Sequence, residues 1–395
     1  MLAYKFLLCP SEEEKKHLLG TLEACRKTYN RLLEEYNKGE HDRFKLQALL
    51  PIWKESDDDL RDAYAKALQY EVHRLLFNQK GLEGKRKAGM RTGKLRWKPP
   101  QRFRSFTYSQ LGFILNPTQG KWSMLHLSKK IGNIPIRLHR EPEGKIKQVT
   151  IRHSPSGDWY AYLIVDDGKG KNEKTYVERA VGLDVGLEHY VVDSEGIEIE
   201  NPRNLKRGLK KLRRDHRRLI RKKNGSNNFE KQRIKVAQDH EKIQNQRNDF
   251  QHKLSRYYID NFDLIVTEKL DIQKMIENGH LARSISDASW SSFNQKLAYK
   301  AERAGKLFVQ VDSRGTSQIC SSCGKLVPKT LRDRWHNCPH CGLHLSRDHN
   351  ASINILKRGI EKVGQELPEL ACGHWTATSP SMVVHARWMK QEALS

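Results

Sequence analysis

Cys320-Ser-Ser-Cys323-Gly and Cys338-Pro-His-Cys341-Gly are two matching C-x-x-C knuckles separated by 14 residues. Such a turn sets two thiolates side by side, and the glycine that follows frees the backbone to bring its amides toward the sulfurs. Two of these turns complete a tetrahedral sulfur site, for which one Zn²⁺ is the expected occupant. Four sulfurs leave no open coordination position, so a zinc held this way supports structure and performs no chemistry. A ribbon this small has almost no core, and its metal supplies on the order of 10 kcal/mol of folding energy.

Three carboxylates form a second candidate site. Asp184 ends a strand-like run in Gly182-Leu-Asp-Val-Gly-Leu187, and Glu268 ends another in Ile265-Val-Thr-Glu-Lys269. Asp348 stands at a helix start in Ser346-Arg-Asp-His-Asn-Ala351. Adjacent strand ends and a nearby helix start can bring distant acids together around two Mg²⁺ ions, which activate a water and stabilise the leaving oxygen of a phosphodiester. Each acid alone also has an ordinary explanation. Asp184 would serve the turn before Gly186, Glu268 would be a solvated strand end, and Asp348 would cap its helix. Grouped without a cation, the three would repel one another.

The 395 residues hold 72 Lys plus Arg against 47 Asp plus Glu, a net charge of +25. An excess this large repels itself in a compact protein and points to a polyanionic partner. No apolar run approaches the ~20 residues of a spanning helix, so a membrane partner is not expected. Met1 to Cys9 alternates like a strand and lacks a secretory pattern. With four of seven cysteines clustered, the composition suits a reducing compartment, and a cytoplasmic setting is expected. Cys9, Cys25 and Cys372 are isolated. His336, His340 and His344 exceed the four zinc ligands and read as polar surface or nucleic-acid contacts.

Residues 202–223 concentrate the charge, with twelve Lys or Arg and one Asp around a stripe of Leu205, Leu209, Leu212 and Leu219. Cations this dense repel at i,i+4 spacing, which favours phosphate contact by Lys206, Lys210, Arg213, Arg214, Arg217 and Arg221.

The elements that must position these residues follow from periodicity. Leu2, Tyr4, Phe6 and Leu8 alternate as a strand, and Ser11 followed by Glu12, Glu13 and Glu14 announces a helix carrying Leu18, Leu22, Cys25, Tyr29, Leu32 and Tyr36. A second helix carries Leu60, Tyr64, Leu68, Val72 and Leu75. Residues 79–104, rich in glycine and cations, read as a basic loop. From Phe106 to Val165 short alternating runs predict a small β-barrel around the helical insertion. Phe103, Phe106 and Tyr108 either fill that barrel or stack on bases. Residues 166–174 read as a linker. Beyond it, short apolar strands end at the acids, and a long helix keeps Phe229, Val236, Ile243, Phe250 and Tyr257 in seven-residue register. A helix over 290–304 and a strand over 306–311 follow. No period persists beyond Ile360.

The segments around Asp184 and Glu268, together with Thr316-Ser-Gln-Ile-Cys-Ser-Ser-Cys-Gly324 and Arg347-Asp-His-Asn-Ala-Ser-Ile-Asn354, occur in the order seen in TnpB. The chain resembles that family of transposon-encoded, RNA-guided DNA nucleases, relatives of type V CRISPR effectors, most strongly over residues 181–358. The resemblance implies an α+β multidomain protein. A β-barrel wedge domain (1–10 and 105–170) would hold a helical recognition insertion with its basic loop (11–104). An RNase H-like RuvC nuclease domain (175–314 and 345–360) would be interrupted by the zinc ribbon (315–344); the scattered Pro, Gly and Ser beyond it are expected to form a disordered tail (361–395). The resemblance further implies a guide RNA and the cutting of double-stranded DNA beside a short flanking motif through one site; with no evident dimerisation segment, a monomer with one RNA is expected. By position Asp184, Glu268 and Asp348 match the family's catalytic, magnesium-binding acids. Gln69, Thr107 and Gln110 lie in segments similar to those that contact the flanking motif. Ser346 stands where an acid is common, and His349 where an aliphatic residue is common. The alternatives are a transposase with the same fold, a cleavage-dead RNA-guided DNA-binding regulator and a small CRISPR effector.

Overall fold

The computed structural model describes residues 1–168, 177–277, 279–330 and 332–366. The chain divides into two compact units, Met1–Lys169 and Gly170–Ser395.

In the first unit β1 (Leu2–Leu8) buries Tyr4, Phe6 and Leu8, the alternate residues of its sequence. α1 (Glu12–Asn37) begins with a capping box, in which the Ser11 hydroxyl accepts from the Glu14 amide and the Glu14 carboxylate accepts from the Ser11 amide. α2 (Arg43–Ser56), α3 (Asp58–Asp62) and α4 (Ala65–Lys87) complete the helical insertion. Six strands follow: β2 (Ser105–Ser109), β3 (Phe113–Asn116), β4 (Ser123–Leu127), β5 (Gly132–Arg137), β6 (Lys145–His153) and β7 (Trp159–Asp166). They join β1 in one near-closed, barrel-like antiparallel sheet of order β2-β6-β7-β1-β5-β4-β3. One core unites sheet and helices, and Phe103, Phe106 and Tyr108 are buried in it. They fill the barrel and are not free to stack on bases.

Two expectations for this insertion need correction. The supposed helix through Leu60 and Leu75 breaks at Ala63 and Tyr64, so Leu60 belongs to α3 and Tyr64 caps α4. The basic loop begins at 88 rather than 79, because α4 runs through Gly81 and Gly84 to Lys87. Each glycine costs a helix about 1 kcal/mol, and the Gln, Lys, Leu, Glu and Arg residues around them are good helix formers. α2 forms despite an internal Pro51, its start fixed by Asp42, whose carboxylate accepts from the Phe44 and Lys45 amides.

The second unit opens with β8 (Ala180–Val185), β9 (His189–Asp193) and β10 (Glu198–Glu200), an antiparallel meander. The helices α5 (Asn204–Ile220) and α6 (Asn227–Asn261) lead to β11 (Leu264–Glu268). Then come α7 (Ile272–Glu277), α8 (Ala282–Ala288), α9 (Trp290–Ala304) and β12 (Leu307–Val311). A small hairpin, β13 (Trp335–Asn337) and β14 (His344–Ser346), precedes α10 (Arg347–Glu366). The sheet order is β10-β9-β8-β11-β12, with β8, β11 and β12 parallel. Val181, Leu183, Val185 and Ile265 pack against α6 and α9 on one face. Ala180, Leu264 and Val266 meet Ile355 and Val363 of α10 on the other. The seven-residue seam of α6 closes within the chain. Val236 and Ile243 meet Leu205, Leu212 and Leu219 of α5, while Phe250 and Tyr257 join the sheet core. α10 extends to Glu366, six residues into the stretch read as a tail, and residues 367–395 lie outside the described residues.

Candidate functional site

Strand periodicity decides which side chains face α10. With Val181, Leu183 and Val185 on one face of β8, Gly182 and Asp184 lie on the other; with Ile265 on that first face of β11, Val266 and Glu268 lie on the α10 face. The parallel register pairs Val266 with Gly182, so two residues later Glu268 and Asp184 stand at the same end of neighbouring strands. Gly182 has no side chain because α10 occupies its place: a Cβ there would stand 2.2 Å from the Ser352 carbonyl oxygen. This close approach brings the first turn of α10, with Asp348, over the two strand ends.

The three acids are held differently. Glu268 is buried, and its Oε1 accepts a 2.6 Å hydrogen bond from Thr316 Oγ1. Asp348 Oδ1 accepts from Arg347 Nε at 3.0 Å, with Arg347 Nη2 also at 3.0 Å. Asp184 is half-buried. Burial first, then the charges of Glu268 and Asp348, push its carboxyl well above the usual carboxylate range, with Arg347 pulling against them. Burial also raises Glu268, opposed by the Thr316 hydrogen bond and the Arg358 charge. Ser346 caps the start of α10 by accepting from the His349 amide, and the His349 ring lies beside Gly196.

The four cysteines converge closely. Their sulfurs all lie within 4.8 Å of one another, and among the described residues no other group of three or more His, Cys, Asp or Glu side chains reaches that spacing. Cys320 to Cys341 and Cys323 to Cys338 measure 3.6 Å between sulfurs. That is far beyond a disulfide, at about 2 Å, and close to the roughly 3.8 Å edge of a tetrahedron around zinc. The knuckles repeat one backbone pattern. Gly324 and Gly342, both at positive φ, donate to the carbonyls of Cys320 and Cys338, whose own amides donate to Lys325 and Leu343. Although burial works the other way, the His340 and Cys341 amides and the neighbouring thiols bring Cys338 down to about 6. His336 is fully buried beside Lys329, which corrects its reading as surface, while the exposed His344 stacks on Trp335.

Two buried asparagines one turn apart on α10 tie this ribbon to the acids. Asn350 accepts from the Ser321 amide and donates to the Ile319 carbonyl. Asn354 donates to the carbonyls of Thr316 and Ile319. Thr316, Asn350 and Asn354 escaped sequence reasoning as functional residues. The i,i+4 spacing of two asparagines on an otherwise amphipathic helix was the available signal.

On α5 the expected cations are exposed but not equivalent. Lys211 pairs with Asp239, and Arg214 and Arg218 lie 3.9 and 3.5 Å from Asp215. Lys206, Lys210, Arg213, Arg217 and Arg221 form no ion pair among the described residues. Their spacings of four, three, four and four place them on one helical face.

In the first unit Gln69 and Thr107 line one groove of about 770 Å³, with Arg43, Lys66, His73 and Phe77 on the helical side. Thr107 is 1% exposed, its hydroxyl 2.9 Å from that of Thr150, so it forms the floor. Gln110 begins a short 3₁₀ turn to Gly112.

Comparison with known proteins places this arrangement. Residues 159–279 match the family profile described as "Probable transposase" of the OrfB IS605 type, and residues 290–355 match "Cas12f1-like, TNB domain". Residues 1–39 match a "Helix-turn-helix domain", although here they form β1 and the single helix α1. A Streptomyces pristinaespiralis protein described as "Putative RNA-guided DNA endonuclease" is 32% identical over 371 residues, 91% of this chain and 89% of that one. The chain belongs to the TnpB family. Escherichia coli K12 InsQ, described in the same words, is 28% identical over 99% of this chain and 96% of its own. The protein of a Cas12f1–sgRNA–target DNA complex shares the fold, with a TM-score of 0.56 at 17% identity, covering 87% of this chain and 82% of that one. No helix among the described residues of this TnpB-family chain is long and apolar enough to cross a membrane.

Proposed function

We propose that the chain is an RNA-guided, Mg²⁺-dependent endonuclease that cuts double-stranded DNA beside a short flanking motif, using one acidic site. The observation that carries this reading is the placement of Asp184, Glu268 and Asp348 at one end of a mixed sheet, on the face that α10 covers. The strand order, an antiparallel meander continued by two parallel strands, supports an RNase H-like, RuvC-type domain with the ribbon inserted between β12 and α10. Three hard oxygen donors, one of them a carboxylate destabilised by burial and by its neighbours' charge, suit two divalent cations. Bound Mg²⁺ supplies a water made nucleophilic and a counter-charge for the leaving oxygen. The chain's part is to fix the donors: Thr316 orients Glu268, and Arg347 orients Asp348. One Zn²⁺ in the cysteine cluster would hold the ribbon.

The α5 stripe, unpaired among the described residues, supports contact with a guide RNA, or with the ~20-base-pair heteroduplex it forms with target DNA. The groove lined by Gln69 and Thr107, with Gln110 in the adjoining turn, is the proposed reader of the flanking motif. The names of the relatives agree with this activity, and we take the working form to be a monomer with one RNA. A transposase reading draws on the family's description, but the ribbon between the second and third acids favours guided cutting.

The test is to purify the protein from its native locus, sequence the bound RNA, and challenge the complex with targets bearing randomised flanks. Guided cutting that Asp184→Ala abolishes, with target binding intact, is expected. Absence of bound RNA, or joined rather than cut strands, overturns the proposal.

A further inference from the structure

We propose that Phe77 is a base-stacking wedge that holds open the first step of target DNA beyond the flanking motif bound in the groove. The inference rests on that groove reading DNA.

Phe77 is 77% exposed, yet it lies mid-way along a helix whose core side is fully supplied by Ala67, Leu68, Val72 and Leu75. It lines the groove with Lys66, Gln69 and His73, at spacings of three, four and four, so one face of α4 presents them all. A phenylalanine left in water on an otherwise polar face gives nothing to folding. It keeps its apolar area and ring face for a partner.

The charge around it selects that partner. Arg43 and Lys66 line the same groove and form no ion pair among the described residues. Unneutralised cations beside a bare aromatic ring match a ligand with phosphates on its edge and flat apolar faces within, which is a nucleic acid strand. An apolar protein segment would use the ring and leave the cations unpaired.

Distance along the helix gives the position. Eight residues separate Gln69 from Phe77, about 12 Å at 1.5 Å per residue. That spans three to four steps of a DNA strand at roughly 3.4 Å each. With Gln69 on a motif of a few base pairs and the target continuing toward the C-terminal end of α4, the direction this proposal assigns, Phe77 reaches the step where strand exchange must begin. Exchange of duplex for heteroduplex is nearly balanced in free energy, so its rate is sensitive to the cost of opening that first step. A ring that accepts the unstacked base lowers this cost.

Phe77→Ala and Phe77→Trp, each carrying its native RNA, should be compared with the unaltered protein on two targets that share the same guide-complementary strand. One target is fully paired, and the other has the first three pairs beyond the flank opened by mismatches. Single-turnover cutting and the fluorescence of 2-aminopurine at the first target position are the readouts. Phe77→Ala should slow opening and cutting of the paired target by about five- to a hundred-fold, the range of one base–aromatic stack. The opened target should rescue it, and Phe77→Trp should restore the paired one. Equal slowing on both targets, or no slowing on the paired one, overturns the wedge. So does loss of bound RNA in Phe77→Ala, which would place the ring on the guide. Guide-independent behaviour of the unaltered protein on both targets would instead overturn the function itself, and the wedge with it.

Discussion

Thr316 spends its hydroxyl hydrogen on Glu268 at 2.6 Å and so fixes the rotamer of the most buried acid of the site. A hydrogen bond to a charged group contributes roughly 1.5–3 kcal/mol. Thr316→Val should therefore slow single-turnover cutting by about ten- to a hundred-fold, with bound RNA and zinc content unchanged, and Thr316→Ser should recover most of the rate. Glu71, in the first unit, makes a different prediction. Burial raises its carboxyl to about 8, opposed by Arg74, whose Nη1 lies 3.2 Å away but is hydrogen-bonded to the Ser105 carbonyl. The folded chain thus binds a proton that the unfolded chain releases near 4.5. Its stability contribution is complete below about 4.5 and is lost as pH rises toward 8. Glu71→Gln should raise the melting temperature at pH 8 and hardly change it at pH 5, a difference on the order of a few kcal/mol.

α10 is the element on which the site depends. It brings Asp348 to the strand ends through Gly182, and it grips residues 316–321 through Asn350 and Asn354. The ribbon therefore acts on the acids through that grip. Asn354→Ala leaves the Thr316 carbonyl without its side-chain partner and should destabilise the second unit by about 1–3 kcal/mol, read by denaturant melts. Removing zinc with a zinc-selective chelator in excess Mg²⁺ should abolish cutting while RNA stays bound. Retained cutting would show that α10 holds Asp348 unaided. Metal analysis should give one zinc per chain, and Cys338→Ser should lose it.

Across the whole molecule the charge of +25 sets how tightly nucleic acid is held, and ion pairing decides which cations contribute. Among the described residues Arg213 and Arg217 have no carboxylate partner, whereas the Lys211 amine is taken by Asp239. Changing Arg213 and Arg217 together to Gln should reduce the slope of log affinity against log salt by about 2. Lys211→Gln should leave that slope unchanged, as measured by RNA binding over a salt series.

Features set by short-range geometry were legible in the residues alone. The two knuckles follow from a C-x-x-C-G turn, whose glycine must take positive φ, and the acids stood visibly at the ends of β8 and β11. Alternation gave the strands of the first unit, and the density of Lys and Arg marked α5. Other features depend on neighbours far away in the chain. The break between α3 and α4, and α2 with its internal Pro51 but buried Leu46 and Leu50, were set by packing that outweighed weak local preference, whereas the helix through Gly81 and Gly84 rests on the good helix formers around them. The burial of Phe103, Phe106 and Tyr108 was likewise open until the barrel core was seen. Asp215 and Asp239, the latter on another helix, sort the α5 cations into paired and free. Thr316, Asn350 and Asn354 gain their roles because a polar group is committed only once its buried partner is in place.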